Sequence, residues 1–124
     1  MKLFLLMNGG NSPKGKLIQD LTIAFASYDL DRIRPFLMED ITWTLVGNEP
    51  IQGKEEFLEA LDQMKSNSVS ELQIHQILTH GKEAAVHGEM VMENGERFGF
   101  ADFYVFGSAG SEKVKAITSY VIQK

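Results

Sequence analysis

The feature that most constrains the fold is a stretch of alternating residues broken once by an Asn-Gly pair. It runs from Ala84 to Gly107, AAVHGEMVMENGERFGFADFYVFG. Asn94-Gly95 is the sequence mark of a β-hairpin, because a type I′ turn needs φ > 0 at both central residues and Asn-Gly tolerates this. A two-residue turn there sets Met92 opposite Arg97, Glu89 opposite Phe100 and His87 opposite Asp102. Cross-strand partners share a face. One face then carries Ala85, His87, Glu89 and Val91 with Phe98, Phe100, Asp102 and Tyr104, and the other carries Val86, Gly88, Met90 and Met92 with Ala101, Phe103 and Val105. Neither set is a plain solvent face. The expectation is a pocket on the side that holds the ionisable groups and a core or subunit contact on the side that holds Met90, Met92, Phe103 and Val105.

The rest of the chain reads as α+β. Ser12-Pro13 is an N-cap followed by proline at the first helical position. Leu17, Leu21, Ala24, Phe25 and Tyr28 then recur at helical spacing from Lys14 to Tyr28. A second, shorter helix starts at Asp29 or Asp31 and runs to Leu37, made irregular by Pro35. Ile41–Val46 is a strand, and Gly47-Asn48-Glu49-Pro50 a turn. A third helix runs from Glu55 to about Lys65 with Phe57, Leu58, Leu61 and Met64 on one stripe. Strands follow over Glu71–Thr79, through the hairpin, and over Val114–Ile122. A turn near Gly81-Lys82 sets Gln76 opposite His87 and Ile74 opposite Glu89. Helices therefore lie on one face of a curved antiparallel sheet.

Composition bounds the function. At 124 residues the chain is one domain, and 44% apolar residues suffice for a core. A net charge of −5 without a basic run argues against a nucleic-acid surface. No cysteine is present, which excludes disulfides, thiolate metal sites and a thiol nucleophile. Leu3–Met7 is shorter than a signal-peptide apolar region, and no run approaches the about 20 apolar residues of a membrane span. A cytoplasmic protein is expected, with residues 1–12 as an N-terminal arm, broken at Asn8-Gly-Gly-Asn11, and residues 13–124 as the domain. The motifs for phosphate loops, dinucleotide folds and serine hydrolases are absent.

Several stretches together resemble the nuclear transport factor 2-like superfamily, the SnoaL-like and ketosteroid isomerase-like cone. They are Asp29-Leu-Asp31, Glu39-Asp40-Ile-Thr-Trp43, Gly47 with Ile51-Gln-Gly53-Lys-Glu, Phe103-Tyr-Val-Phe106, and Val114-Lys-Ala-Ile117-Thr-Ser-Tyr120. The resemblance spans about Lys14 to Ile122. It implies a cone with three helices from the N-terminal half over the concave face of the sheet, a pocket between them, and dimerisation through the outer face. The superfamily hosts isomerases, dehydratases, cyclases, epoxide hydrolases and non-catalytic binding modules. Carried over from ketosteroid isomerases, the protonated aspartic acid donor falls on Asp102. The general base falls on Thr44 or Leu45 and the donor tyrosine on Leu21, none of which can play those parts.

The site expected from these readings is a His87–Asp102 pair. The aspartate fixes the imidazole tautomer and leaves the other nitrogen as a base, or a protonated Asp102 donates to an oxyanion. Thr44, Gln76, Glu89, Phe98, Phe100 and Tyr104 are expected to line the pocket. Trp43 is expected to pack against helices or an interface. His75 is expected on the outer face, away from His87, so the two make no metal pair. The function expected is a cofactor-free, metal-free isomerase, lyase or hydrolase acting on an apolar oxygenated compound, or a non-catalytic module using the same pocket for a ligand or the sheet for a partner. Membrane and nucleic-acid partners are not expected.

Overall fold

The structure is a computed structural model, and it describes residues 1–6 and 12–124; the break at Asn8–Asn11 lies outside the described residues. The elements in chain order are β1 (Lys2–Leu5), α1 (Pro13–Ala26), α2 (Leu30–Ile33), a 3-10 turn (Arg34–Phe36), β2 (Leu37–Leu45), β3 (Ile51–Gln52), α3 (Lys54–Met64), β4 (Val69–His80), β5 (Glu83–Met92), β6 (Arg97–Phe106) and β7 (Val114–Gln123). Ser12 caps α1 by accepting from the Gly15 N–H at 2.9 Å, with Pro13 in the first turn. Pro35 sits inside the 3-10 turn that ends α2, where its missing N–H and fixed φ cut the α-helix short.

All seven strands form one sheet in the order β1-β4-β5-β6-β7-β2-β3. It is mixed rather than purely antiparallel: β1 runs parallel to β4, and β2 parallel to β7. The two-residue strand β3 was not evident in the sequence. Helix α1 packs over β4 and α3 over β2. The core between helices and sheet includes Ile18, Leu21, Phe57, Leu72, Ile74, Tyr104 and Ile117.

The hairpin loop has three residues, not two. Met92 faces Glu96: its N–H donates to the Glu96 carbonyl at 2.8 Å, and the Gly95 N–H donates to the Met92 carbonyl at 2.9 Å. Only Gly95 has positive φ (+88°) here, whereas a type I′ turn would require it of Asn94 as well. This is the three-residue hairpin in which glycine takes the left-handed position. Asn94 serves differently, its side-chain oxygen accepting from the Glu96 N–H at 2.9 Å.

A one-residue change in the loop moves the register by one, and side-chain alternation then changes the partner set. His87 is opposite Ala101, and Asp102 is opposite Val86. Strand β4 adds bulges at Ser70 and His75. These let Val69, Leu72, Ile74 and Ile77 all turn inward despite two gaps of three residues. Ile74 therefore pairs with Gly88, and Gln73 with Glu89, while Gln76 does face His87. At the bulge the backbones crowd: a Cβ on Gly88 would come within 1.9 Å of the Gln73 carbonyl oxygen.

Candidate functional site

One cavity of about 170 Å³ lies between the helices and the inner face of the sheet. Three rows of the sheet form its floor. Read across the ladders, the lining residues are Asp102, Ser119 and Leu45 in one row, Tyr104, Ile117 and Trp43 in the next, and Phe100 and Val121 in the third. Thr22, Phe25 and Tyr28 come down from α1 and its end, and Phe57, Leu61 and Met64 from α3. Met64 and Val121, 38% and 44% exposed, stand at its edge. Phe57 packs against Trp43 at 4.7 Å and Phe25 at 5.8 Å between ring centroids.

Polar groups in this wall are few. Asp102 is the one carboxylate among the described lining residues. Burial pushes its pKa from 3.8 up to about 6, against the opposing effect of the Ser119 hydroxyl across the β6–β7 ladder. The Ser119 hydroxyl also accepts from the indole N–H of Trp43 at 3.0 Å. Tyr104 is buried, and its hydroxyl has no hydrogen-bond partner among the described residues. Burial, and then the neighbouring charge of Asp102, raise the phenol well above its ordinary pKa, with the nearby Thr22 hydroxyl acting in the opposite direction, so it stays a donor at neutral pH. Thr22 is buried and donates to the Ile18 carbonyl at 2.7 Å, so its hydroxyl oxygen can act only as an acceptor toward the cavity it lines. Tyr28 closes one side. It takes a left-handed φ of +54° just past α1, unusual for a bulky residue, and its hydroxyl donates to the Asn67 carbonyl at 2.8 Å.

Of the residues expected in the pocket, Asp102, Phe100 and Tyr104 are in its wall. Phe98 shares their face and packs against the core beyond the cavity. His87, Glu89 and Gln76 are on the outer face, because the hairpin register differs by one from the two-residue turn. The His87–Asp102 pair does not form. His87 instead meets Gln76 at 3.2 Å, and Glu89 pairs with Lys124. Thr44 is also outside, paired with Thr118, while its neighbours Trp43 and Leu45 turn inward. His75 is on the outer face as expected but not away from His87: the rings meet edge to face at 5.6 Å. Met90 and Met92, expected on the interface side, turn inward, Met90 to the cavity and Met92 to the core. Phe103 and Val105 do lie on the outer side, opposite Thr118 and Ala116.

Sequence reasoning assigned no site role to Thr22, Tyr28 or Ser119, and it placed Trp43 in packing. The available signal was parity. Ser119 shares its face with Ile117, and Thr22 falls four residues after Ile18, each a small polar residue within an apolar stripe.

Comparison with known proteins agrees with this fold. The chain aligns with an NTF2-like protein of unknown function from Cytophaga hutchinsonii at 19% identity and a TM-score of 0.66, over 86% of this chain and 97% of that one. It aligns with an LEH-like epoxide hydrolase of M. tuberculosis at 16% identity and a TM-score of 0.72, over 86% and 76%. The epoxide hydrolase/cyclase-like enzyme SalBIII, which acts in pyran ring formation in the polyether salinomycin, aligns at 16% identity and 0.74, over 93% and 95%. These identities speak for the fold alone. No curated protein matches in sequence. The model of the SnoaL-like domain matches residues 18–114, and the chain accordingly belongs to the SnoaL-like family of the NTF2-like superfamily.

Proposed function

We propose that the cavity takes a small, mainly apolar compound bearing an acceptor oxygen, and that Asp102 acts on it as a general acid or base. The observation that carries this reading is the Asp102–Tyr104 pair: a half-buried carboxyl in the cavity wall whose pKa burial raises to about 6, two residues from a buried phenol with no hydrogen-bond partner among the described residues. A catalytic group works best with a pKa near the working pH. An unpaired buried hydroxyl is costly, and a ligand oxygen would relieve that cost. Size narrows the class. A cavity of about 150 Å³ holds benzene, so about 170 Å³ suits one ring or a short chain. Isomerisation, elimination and epoxide opening all need one proton moved beside a polarised oxygen, and this wall offers both groups. Phe100, Trp43 and Phe57 supply the apolar walls.

The test uses one-ring ketones and epoxides and their matched hydrocarbons, with binding read by the fluorescence of Trp43 and turnover by proton NMR. Oxygenated members should bind about tenfold or more tightly than the hydrocarbons, a hydrogen bond's worth. Any turnover should follow an ionisation near pH 6 and vanish in Asp102→Asn. Equal binding of ketone and hydrocarbon, or none, overturns the reading.

A second reading, a binding module without turnover, is favoured by Asp102 being the lone carboxylate in the described wall. It predicts ligand binding that survives Asp102→Asn with no product. We also infer a homodimer through the outer face, supported by Leu78, Phe103, Tyr120 and Ile122, each 46–69% exposed on that side.

A further inference from the structure

We propose that Ser119 is the positioning residue for Asp102, and that Trp43 holds Ser119 in the orientation that makes it so. This rests on the reading of Asp102 as the working group of the cavity, and it concerns what fixes that group in place.

The argument starts from donor and acceptor counts. An indole N–H can only donate, whereas a hydroxyl has one proton and two lone pairs. At 3.0 Å in a buried bond, Trp43 Nε1 must donate to Ser119 Oγ. That occupies a lone pair and leaves the serine proton to be placed elsewhere. Ser119 stands directly across the β6–β7 ladder from Asp102, both on the inner face. Ser119 is 5% exposed, so water is not a ready alternative acceptor. The ladder sets the Asp102 carboxyl opposite that hydroxyl, so we assign the serine proton to it, and the proposed chain reads Trp43 to Ser119 to Asp102.

This arrangement does two things. It ties the carboxyl to β7 in the wall of the cavity that both residues line. It also favours the ionised form, since a hydrogen bond to a carboxylate stabilises the charge that burial disfavours. No cation assists. The groups reaching the cavity from α1 are Thr22 and Tyr28, from β2 Trp43 and from β6 Tyr104, while α3 and β5 supply only apolar side chains. Among these described lining residues the only other titratable groups are the two phenols, neutral over the range in which Asp102 titrates. Three strands must be in register for the chain to form, β2 and β7 in parallel and β6 and β7 antiparallel.

The experiment is a carboxyl-carbon NMR titration of Asp102 from pH 4 to 8, with Asp102→Asn to assign the resonance. The wild type, Ser119→Ala, Ser119→Thr and Trp43→Phe are compared, and circular dichroism checks that each keeps its sheet. Trp43 is the only tryptophan, so its emission gives a second trace of the same event in the variants that keep it. Loss of the serine bond should raise the Asp102 midpoint by about one pH unit, a tenfold change in proton affinity. Ser119→Thr, which keeps a hydroxyl, should return it toward the wild-type value. Trp43→Phe should raise it by less, because the hydroxyl then has no donor holding it. An unchanged midpoint in Ser119→Ala overturns the proposal. So does a midpoint that Trp43→Phe leaves unmoved, since Trp43 would then be a packing group only. Should Ser119→Ala fail to fold, the Thr and Phe variants decide alone: a wild-type midpoint in Trp43→Phe overturns the chain. These outcomes are independent of ligand. The pocket reading fails if no oxygenated probe binds, and the positioning reading fails if the midpoint ignores these residues.

Discussion

Tyr104 and Asp102 enter the same cavity two residues apart on β6, the first with a hydroxyl that has no hydrogen-bond partner among the described residues. An unsatisfied buried hydroxyl costs about 1–3 kcal/mol, and a protein keeps such a group when something outside the chain completes it. Tyr104→Phe should therefore raise the stability of the ligand-free protein by about 1 kcal/mol in urea unfolding. It should also weaken binding of an oxygenated probe by about tenfold while leaving its hydrocarbon analogue unaffected. Loss of both stability and binding would instead mark the hydroxyl as structural.

Asp102 predicts a dependence of stability on pH with an unusual sign. Its folded pKa of about 6 lies above the ordinary 3.8. The folded state thus binds the proton more tightly than the unfolded chain does. The contribution is fully present below about pH 3.8 and is lost as pH rises through about 6. Roughly two pKa units correspond to about 3 kcal/mol. Other carboxylates titrate in the same range, so the measurement is the difference between wild type and Asp102→Asn. The variant should gain on the wild type as pH rises from 4 to 7, and the gap should then stay flat.

How much of this was legible in the sequence depends on distance along the chain. Local signals read well: the Ser12-Pro13 cap, the stripe of α1 and the break at Pro35 all come from side chains acting on their own backbone. Register did not, because it is a sum. Asn94-Gly95 is compatible with a two-residue loop and with a three-residue loop whose glycine alone is left-handed, and the choice lies in how β5 and β6 pack. One residue of difference sent His87 outside while Asp102 stayed within. The bulge at His75 acted likewise, bringing His75 and His87 together on a face that plain alternation would have kept them from sharing. Ser119 and Trp43 were out of reach for another reason: they lie 76 residues apart and meet only through a parallel pairing of β2 and β7.

The histidine supplies a direct check of that register. His87 is exposed on the outer face, with Gln76 as its partner. His87→Ala should change stability by no more than about 0.5 kcal/mol and leave probe binding in the cavity as it was. A large loss of binding would return the histidine to the pocket and the hairpin to a two-residue turn.

Gly88 tests the bulge. The β4 backbone comes so close that a Cβ there would sit 1.9 Å from the Gln73 carbonyl oxygen, whereas one on Gly99 would meet only the Lys124 side chain at 3.9 Å. Backbone cannot give way as a flexible side-chain end can. Gly88→Ala should cost about 3 kcal/mol or more, in the range of severe packing and backbone changes. Gly99→Ala should be tolerated within about 1 kcal/mol. Similar costs at both sites would mean that the bulge is not held against β5.

The outer face makes the last prediction. Phe103 and Tyr120 meet edge to face at 6.0 Å, and both are about half exposed, 50% and 46%. Leu78 and Ile122 lie on the same side at 58% and 69%. Together these exposed apolar side chains on one face are of the kind that marks a contact between subunits. A charge at its centre would be buried without a partner in a dimer and would be harmless in a monomer. Phe103→Asp should therefore shift sedimentation from dimer to monomer without loss of secondary structure. The cavity lies on the opposite face of the sheet, so the monomer should still bind the probe. A wild-type protein that sediments as a monomer would leave this face to a different protein partner, and Phe103→Asp would then change nothing in the sedimentation profile.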